Sequence, residues 1–156
     1  MTLYSVALFL HIVGAVILFV TLTAEGISVR FGGPAVSINR VIGPISALLI
    51  LVPGLYMVAT TWGWKPWVLV GIVSWLAIAV MGTVKGVRAT RSGAGGGSAA
   101  SWWARLGLAA GVLFLMTAKP DLVGSIVSVL IGAAMGWGIS LAAGRVRRPR
   151  QLSRPA

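Results

Sequence analysis

Residues 3–24 read LYSVALFLHIVGAVILFVTLTA, a run without a formal charge at neutral pH. A helix of about 20 apolar residues is long enough to cross the hydrocarbon core of a bilayer. His11 lies near the middle of the run and Glu25 follows its end; they are the single histidine and one of the 2 acidic residues of the chain. The run therefore predicts a membrane-spanning helix with one ionisable side chain at membrane depth.

The composition of the whole chain is typical of a membrane protein. Of its 156 residues, 58% are hydrophobic and 10% are charged, whereas about 25% charged residues are usual in a soluble domain. The apolar residues form blocks of nearly spanning length at 3–24, 41–61, 67–84, 102–118 and 121–143. We therefore predict an all-α, polytopic transmembrane bundle of about five spans over residues 1–144. Residues 145–156 are predicted to form a disordered basic tail.

The distribution of cations predicts how the chain is oriented. The net charge is +11, but the lysines and arginines lie between the apolar blocks and in the tail, which argues against nucleic-acid binding. With the N-terminus outside, all but two of the 13 cationic residues fall on the inner side, and Lys65 and Lys119 fall outside. Cytoplasmic segments of membrane proteins carry such an excess. We predict an outside N-terminus and an inside, cytoplasmic C-terminus.

The chain lacks the residue sets of the common hydrolases. It has no cysteine, and Glu25 and Asp121 are predicted at opposite membrane faces. Thiolate metal sites, cysteine nucleophiles and a carboxylate pair are therefore excluded. The sequence also contains no Ser-His-Asp set and no phosphate-binding loop. These observations lean against an enzymatic function.

Small residues predict how the last helix packs. They recur at every fourth position of the fifth block, and the members of this stripe are Gly124, Ser128, Gly132, Gly136, Ser140 and Gly144. Gly107 and Gly111 repeat the spacing in the fourth block. In lipid, small residues at this interval let two helix backbones approach closely. We predict helix packing through this stripe, with a homo-oligomer or a partner membrane protein as candidate contacts of the fifth helix.

His11 is the main candidate for a functional residue, because an ionisable group inside a bilayer is costly to bury. It lies about 12 Å below the predicted outer end of its helix, at 1.5 Å per residue. Three interpretations stay open: a neutral ring bonded to a neighbouring helix, such as a carbonyl freed by Pro53; a cofactor or metal ligand; or a proton relay. With Met57 or Met116 as a thioether ligand, His11 would suit copper(I).

Three short motifs carry a resemblance to a known family. They are Phe9-Leu10-His11-Ile12-Val13-Gly14-Ala15, then Gly54-Leu55-Tyr56-Met57 with Trp62-Gly63-Trp64, then Met116-Thr117-Ala118-Lys119-Pro120-Asp121. Together they resemble the small bacterial integral membrane proteins of domain-of-unknown-function family 2269. This resemblance implies a bacterial cytoplasmic (inner) membrane protein and no settled activity. More remotely, His11 and Lys119 are similar to positions linked to haem in the copper-resistance D and haem-pathway membrane protoporphyrinogen oxidase families.

A haem b site is therefore one expectation for this chain. His11 would be an axial ligand, with the macrocycle against the small residues Ala7, Gly14 and Ala15. Aromatic walls and a propionate or ligand contact would come from Tyr56, Trp75 and Lys119. Because polar groups are few, we predict a non-catalytic accessory or structural bundle. A haem-binding protein and a copper-handling protein are the alternatives.

Overall fold

Helices form every regular element in the described part of the chain. The computed structural model describes the backbone of residues 2–31, 35–92 and 99–146, and the side chains of residues 2–28, 41–84 and 101–142. The elements are α1 (Leu3–Phe31), α2 (Ala35–Met57), a π-helical turn (Val58–Trp62), α3 (Pro66–Ser92), α4 (Ala99–Ala118) and α5 (Leu122–Val146).

Each α-helix contains a segment that is long and apolar enough to cross a membrane. The segments are Leu3–Ser28, Val41–Trp62, Pro66–Val84, Ser101–Ala118 and Leu122–Ala142. The fourth is the shortest, with 18 residues, which is about 27 Å of helix. The predicted all-α fold with five helices long and apolar enough to span a membrane is thereby confirmed. Such helices are typical of a multi-pass membrane protein in contact with lipid.

The ends of the apolar blocks predict a loop from Glu25 to Asn39 and another that starts at Lys85. Both predictions are wrong over much of their length, because the helices continue through these residues. Glu25 lies on α1, which ends at Phe31, and Lys85 and Arg88 lie on α3, which ends at Ser92. Charged residues marked the ends of the apolar blocks, but Glu, Lys and Arg are good helix formers. A flexible linker is predicted at 92–98 and the basic tail at 145–156. Ser92 is the last residue of α3, and Arg145 and Val146 are the last residues of α5. Residues 93–98 and 147–156 lie outside the described part of the chain.

The helices associate as two close pairs that meet through α4. Helix α1 packs along α2, and α4 packs along α5. Helix α4 also contacts α1 and α3, whereas α2 and α3 touch only slightly. Consequently α4 connects the two pairs, through its contact with α1, and also holds α3.

Glycines bring the backbones of α4 and α5 into direct contact. A Cβ added to Gly107 would lie 3.1 Å from the Cα of Gly136, and one added to Gly111 would lie 3.0 Å from the carbonyl oxygen of Ser128. One added to Gly132 would lie 3.1 Å from the Cα of Gly111. The middle of the small-residue stripe therefore faces α4 of the same chain. Ser140 is half-buried, and the surroundings of Gly144 lie outside the described side chains.

One end of the bundle gathers aromatic side chains and two cations, and we call it the lysine end. Tyr4, near the start of α1, meets Trp62 edge to face at 6.4 Å between ring centroids, and Trp62 lies 5.2 Å from Trp67. Lys119 extends over the same tryptophans, and Lys65 lies in the adjacent α2–α3 turn. The start of α1, the end of the second span and both short turns therefore share one end, as five antiparallel spans require.

Candidate functional site

His11 faces α2 and bonds to its backbone. The ring Nδ1 lies 2.7 Å from the carbonyl oxygen of Ile50. A carbonyl oxygen can only accept, so in this contact Nδ1 carries the proton and donates it. In a neutral imidazole the other nitrogen, Nε2, then has a free lone pair. Among the described residues, Nε2 has no hydrogen-bond partner.

The sequence of α2 explains why the ring fits there. Pro53 lies inside α2 and has no N–H, so the carbonyl four residues before it, that of Leu49, loses its usual helical donor. The ring of His11 lies beside Gly54, where an added Cβ would be 3.2 Å from both Nδ1 and Cε1. The interhelical hydrogen bond considered for His11 is therefore present. Its acceptor is Ile50, the residue after the carbonyl that Pro53 leaves without a donor.

The small residues around His11 serve the contact between α1 and α2. A Cβ added to Gly14 would lie 2.8 Å from the Cβ of Leu49 and 2.9 Å from the backbone nitrogen of Ile50. Ala7 is buried as well. The face beside Gly14, where a macrocycle was expected, is thus filled by α2. A ligand of Nε2 would have to approach the ring from outside this contact.

The two methionines considered as copper ligands lie on different helices. Met57 is fully buried near the end of α2. The side chain of Met116 lies over Gly71, where an added Cβ would be 2.7 Å from its Cε, and it packs beside Trp67 and Leu115. Met116 is therefore held between α3 and α4, whereas His11 is held between α1 and α2. Tyr56 and Trp75 are half-buried on α2 and α3, two helices with little mutual contact.

Lys119 places its ammonium group over the tryptophans of the lysine end. Its Nζ lies 5.0 Å from the Trp62 ring centroid and 5.9 Å from that of Trp67. Both distances are within the range of a cation–π attraction. The backbone of Lys119 is left-handed, with φ 47°, and its N–H donates to the carbonyl of Leu115 at 3.0 Å. This bond caps the end of α4 and turns the exposed side chain toward the aromatic rings.

An ion pair joins α1 and α4 at the opposite end, which we call the ion-pair end. Arg105 bonds to Glu25 through Nη2 and Oε1, and Arg105 is only 5% exposed. From the sequence, Glu25 is expected to pair with Arg30 or with a cation of the third loop, the segment to which Arg105 is assigned. The pairing with a cation of that segment is confirmed. Arg105 is also expected to extend back to the membrane interface, but its side chain is enclosed by α1 and by Gly82 of α3, where an added Cβ would be 3.4 Å from Nη1.

Trp102 packs against α1 at the ion-pair end, beside Arg105. Its Nε1–H donates to the carbonyl of Leu22, and its ring lies directly against Gly26. Arg105 and Trp102 are one helical turn apart on α4 and therefore share a face. A signal for this cluster was present in the sequence. Glu25 is the only acidic residue predicted on the inner side, and Gly26 after it leaves room for a large neighbour.

The other acidic residue, Asp121, caps α5. Its Oδ1 accepts the N–H of Gly124 at 2.9 Å, and the hydroxyl of Ser125 donates to its carbonyl at 2.7 Å. The sequence favours Pro120 as the first residue of this helix, with Asp121 near its positive end. The helix begins at Leu122, so Asp121 does lie at that end, as the N-cap, whereas Pro120 precedes the helix. An N-cap carboxylate satisfies a free N–H of the first turn, which accounts for Asp121 without a ligand.

Comparison with known proteins adds no family to these observations. No protein-family model matches the chain, and no curated protein and no solved structure is significantly similar to it.

The remaining polar groups in the described spans mostly serve their own helices. Ser128, whose hydroxyl was expected to bond within its helix, donates to the carbonyl of Gly124 at 2.6 Å. Hydroxyls with the same kind of local backbone bond are those of Thr21, Thr23, Ser46, Thr60, Ser74, Thr83 and Thr117. Within the described ranges, no three His, Cys, Asp or Glu side chains form a group that could hold a metal ion. Among the described residues, Nε2 of His11 is an unpartnered ring nitrogen that could ligate a metal ion.

Proposed function

We propose that this chain is a non-catalytic helical bundle that acts as an accessory or structural component of the bacterial cytoplasmic membrane. The observation that carries the proposal is the use of its interhelical polar groups. His11 bonds Ile50, Trp102 bonds Leu22, and Arg105 pairs with Glu25. Each of these contacts joins two helices. Polar groups used in this way stabilise a bundle and leave little chemistry for a substrate.

The bacterial membrane and the orientation are parts of the same proposal. They rest on the resemblance to domain-of-unknown-function family 2269 and on the excess of cations in the segments assigned to the inner side. An association with a second copy or with a partner membrane protein would use the exposed apolar side of α5, since the small-residue stripe packs on α4. Leu130, Ile131 and Trp137 are examples of its exposed side chains.

The second candidate is a haem-binding membrane protein, and a specific observation favours it. Histidines that bind metals commonly donate their other ring N–H to a backbone carbonyl, which fixes the tautomer. His11 does this through Nδ1, and Nε2 is unpartnered among the described residues. His11 would hold the iron through Nε2, on the side of the ring away from Gly14. Copper(I) bound by His11 with Met116 is less well supported, because Met116 packs between α3 and α4.

An absorption spectrum and a metal analysis of one sample distinguish these candidates. Protein purified from haem-replete cells is expected to be colourless, to contain less than stoichiometric copper and iron, and to take up no added haemin. The His11→Ala variant would then differ from wild type only in stability, by about 1 kcal/mol for the lost hydrogen bond. A Soret band present in wild type and lost in folded His11→Ala would overturn the non-catalytic proposal in favour of haem. Stoichiometric copper lost in the same variant would favour copper.

A further inference from the structure

A groove between α3 and α5 opens from the bundle toward the surrounding lipid. It encloses about 270 Å³. Its α3 wall consists of Leu69, Val70, Val73 and Ser74, and its α5 wall of Ile126, Val129 and Leu130. The hydroxyl of Ser74 donates to the carbonyl of Val70 at 2.8 Å. The groove therefore presents aliphatic surface and suits a hydrocarbon chain.

The groove begins just below the lysine end. Leu69 is three residues into α3 and Ile126 is four residues into α5. At 1.5 Å per residue, both walls start about 5–6 Å from the helix ends, and Ser74 and Leu130 lie about 12 Å deep. A chain lying in this groove would therefore run inward from the membrane interface.

One apolar cluster connects the groove with the cation above it. Val70 and Val129, which line the groove, pack against the cluster that contains Trp67 and Leu115, and Trp62 packs against the same cluster. Lys119 holds its ammonium group over Trp62 and Trp67. The tryptophans thus fix a cation near the mouth of the groove.

Lys119 is available to an anion. It is exposed, and it forms no ion pair with any described carboxylate. The nearest carboxylate in sequence, that of Asp121, accepts the N–H of Gly124. Cationic residues at membrane interfaces bind anionic lipid headgroups, and tryptophan favours the same depth.

We propose that the α3–α5 groove and Lys119 form a binding site for one anionic phospholipid. An acyl chain lies in the groove, and the headgroup phosphate contacts the Lys119 ammonium beside Trp62 and Trp67. The site faces the leaflet at the lysine end. This lipid would also fill the space that α3 and α5 leave between them, and it would therefore stabilise the packing of α5 on the bundle.

Native mass spectrometry with two lipids tests both parts of the site. The full chain, stripped of lipid in mild detergent, is offered equal amounts of phosphatidylglycerol and phosphatidylethanolamine with the same acyl chains. Wild type is expected to retain one phosphatidylglycerol in preference to phosphatidylethanolamine. In Lys119→Gln the preference should fall about five-fold, the effect of about one interfacial cation. Lys119→Arg should keep it, because the charge remains.

The acyl-chain part is tested by filling the groove. Val73→Trp should lose the retained lipid whichever headgroup it carries. Val80→Trp is its matched control, since Val80 is seven residues further along α3, is also exposed and does not line the groove. Leu130→Trp repeats the test from the α5 wall, in case Val73→Trp does not fold. Equal lipid retention in a folded groove variant and Val80→Trp would overturn the groove assignment. Equal selectivity in Lys119→Gln and Lys119→Arg would overturn the headgroup contact.

Discussion

At the scale of single residues, the ion-pair end contains the two most buried charged side chains of the described residues, and burying a charge costs free energy. Arg105 and Glu25 have side chains only 6% and 12% exposed. Nε of Arg105 has no hydrogen-bond partner although it is buried. A charge in such a position is tolerated because its partner and hydrogen bonds offset part of the desolvation cost. Arg105 is therefore expected to be sensitive to substitution.

The prediction at the residue scale concerns the Arg105–Glu25 ion pair. Arg105→Leu is expected to lower the free energy of unfolding by about 3 kcal/mol, because it removes the paired cation from a nearly buried carboxylate. The double variant Glu25→Leu with Arg105→Leu should recover most of that loss, since apolar side chains can replace a buried pair. Unfolding in detergent micelles, followed by circular dichroism, measures both. A double variant no more stable than Arg105→Leu would contradict this account.

At the scale of helices, the bundle depends on close backbone contacts. Gly14 allows α2 to approach α1, and Gly107 and Gly111 allow α5 to approach α4. Lipid chains are as apolar as leucine, so helices in a bilayer gain little from hydrophobicity alone and associate through dispersion and polar contacts. Gly138, on α5, instead has open space around it, with no atom within 4 Å of an added Cβ. Helix α5 therefore offers a matched comparison between Gly132 and Gly136, which contact α4, and Gly138, which has open space beside it.

The helix-scale prediction uses this comparison. Gly132→Leu with Gly136→Leu should destabilise the protein by several kcal/mol or prevent its assembly, because overpacking costs about 1–3 kcal/mol at each site and backbone atoms cannot move aside easily. Gly138→Leu should change stability by less than about 0.5 kcal/mol. Thermal midpoints and elution volumes after purification measure the difference. Unchanged stability and oligomer size in the double variant would show that the α4–α5 contact does not depend on these glycines.

At the scale of the whole molecule, the five spans put the described N-terminal and C-terminal segments on opposite sides of the membrane. The lysine end carries the start of α1, and α5 runs from that end toward the ion-pair end. Most arginines of the chain belong to the segments at the ion-pair end. If the positive-inside rule holds for this chain, the ion-pair end is expected to face the cytoplasm.

The topology prediction follows from that assignment. A reporter active only outside the cytoplasm should work when fused before residue 1 or in the Lys65 turn, and should be inactive when fused after residue 156. A reporter active only in the cytoplasm should give the opposite pattern. Because both reporters are fused at each site, a fusion that is not expressed is recognised by the absence of activity with either reporter. Activity of one reporter at both chain ends would contradict five spans, and the fully reversed pattern would contradict the orientation.

Local sequence was sufficient to predict the helical class and the number of membrane-spanning helices. Spans depend on the hydropathy of contiguous segments, so the five membrane helices were predicted from the chain. The small-residue stripe of α5 could likewise be predicted from the sequence, because helical spacing places every fourth residue on one face. The errors fell at the helix ends, where charged residues were taken for loops although they continue α1 and α3.

The partners of the polar side chains depended on the tertiary structure. Ile50 is 39 residues from His11, and Arg105 is 80 residues from Glu25. Such contacts depend on which helices lie side by side and how each is rotated, and hydropathy contains no information on either. For the same reason, the sequence offered Met116 as a possible ligand beside His11, whereas the packing places His11 between α1 and α2 and Met116 between α3 and α4. The groove below Lys119 likewise arises only because α3 and α5, which are distant in sequence, meet without closing the space between them.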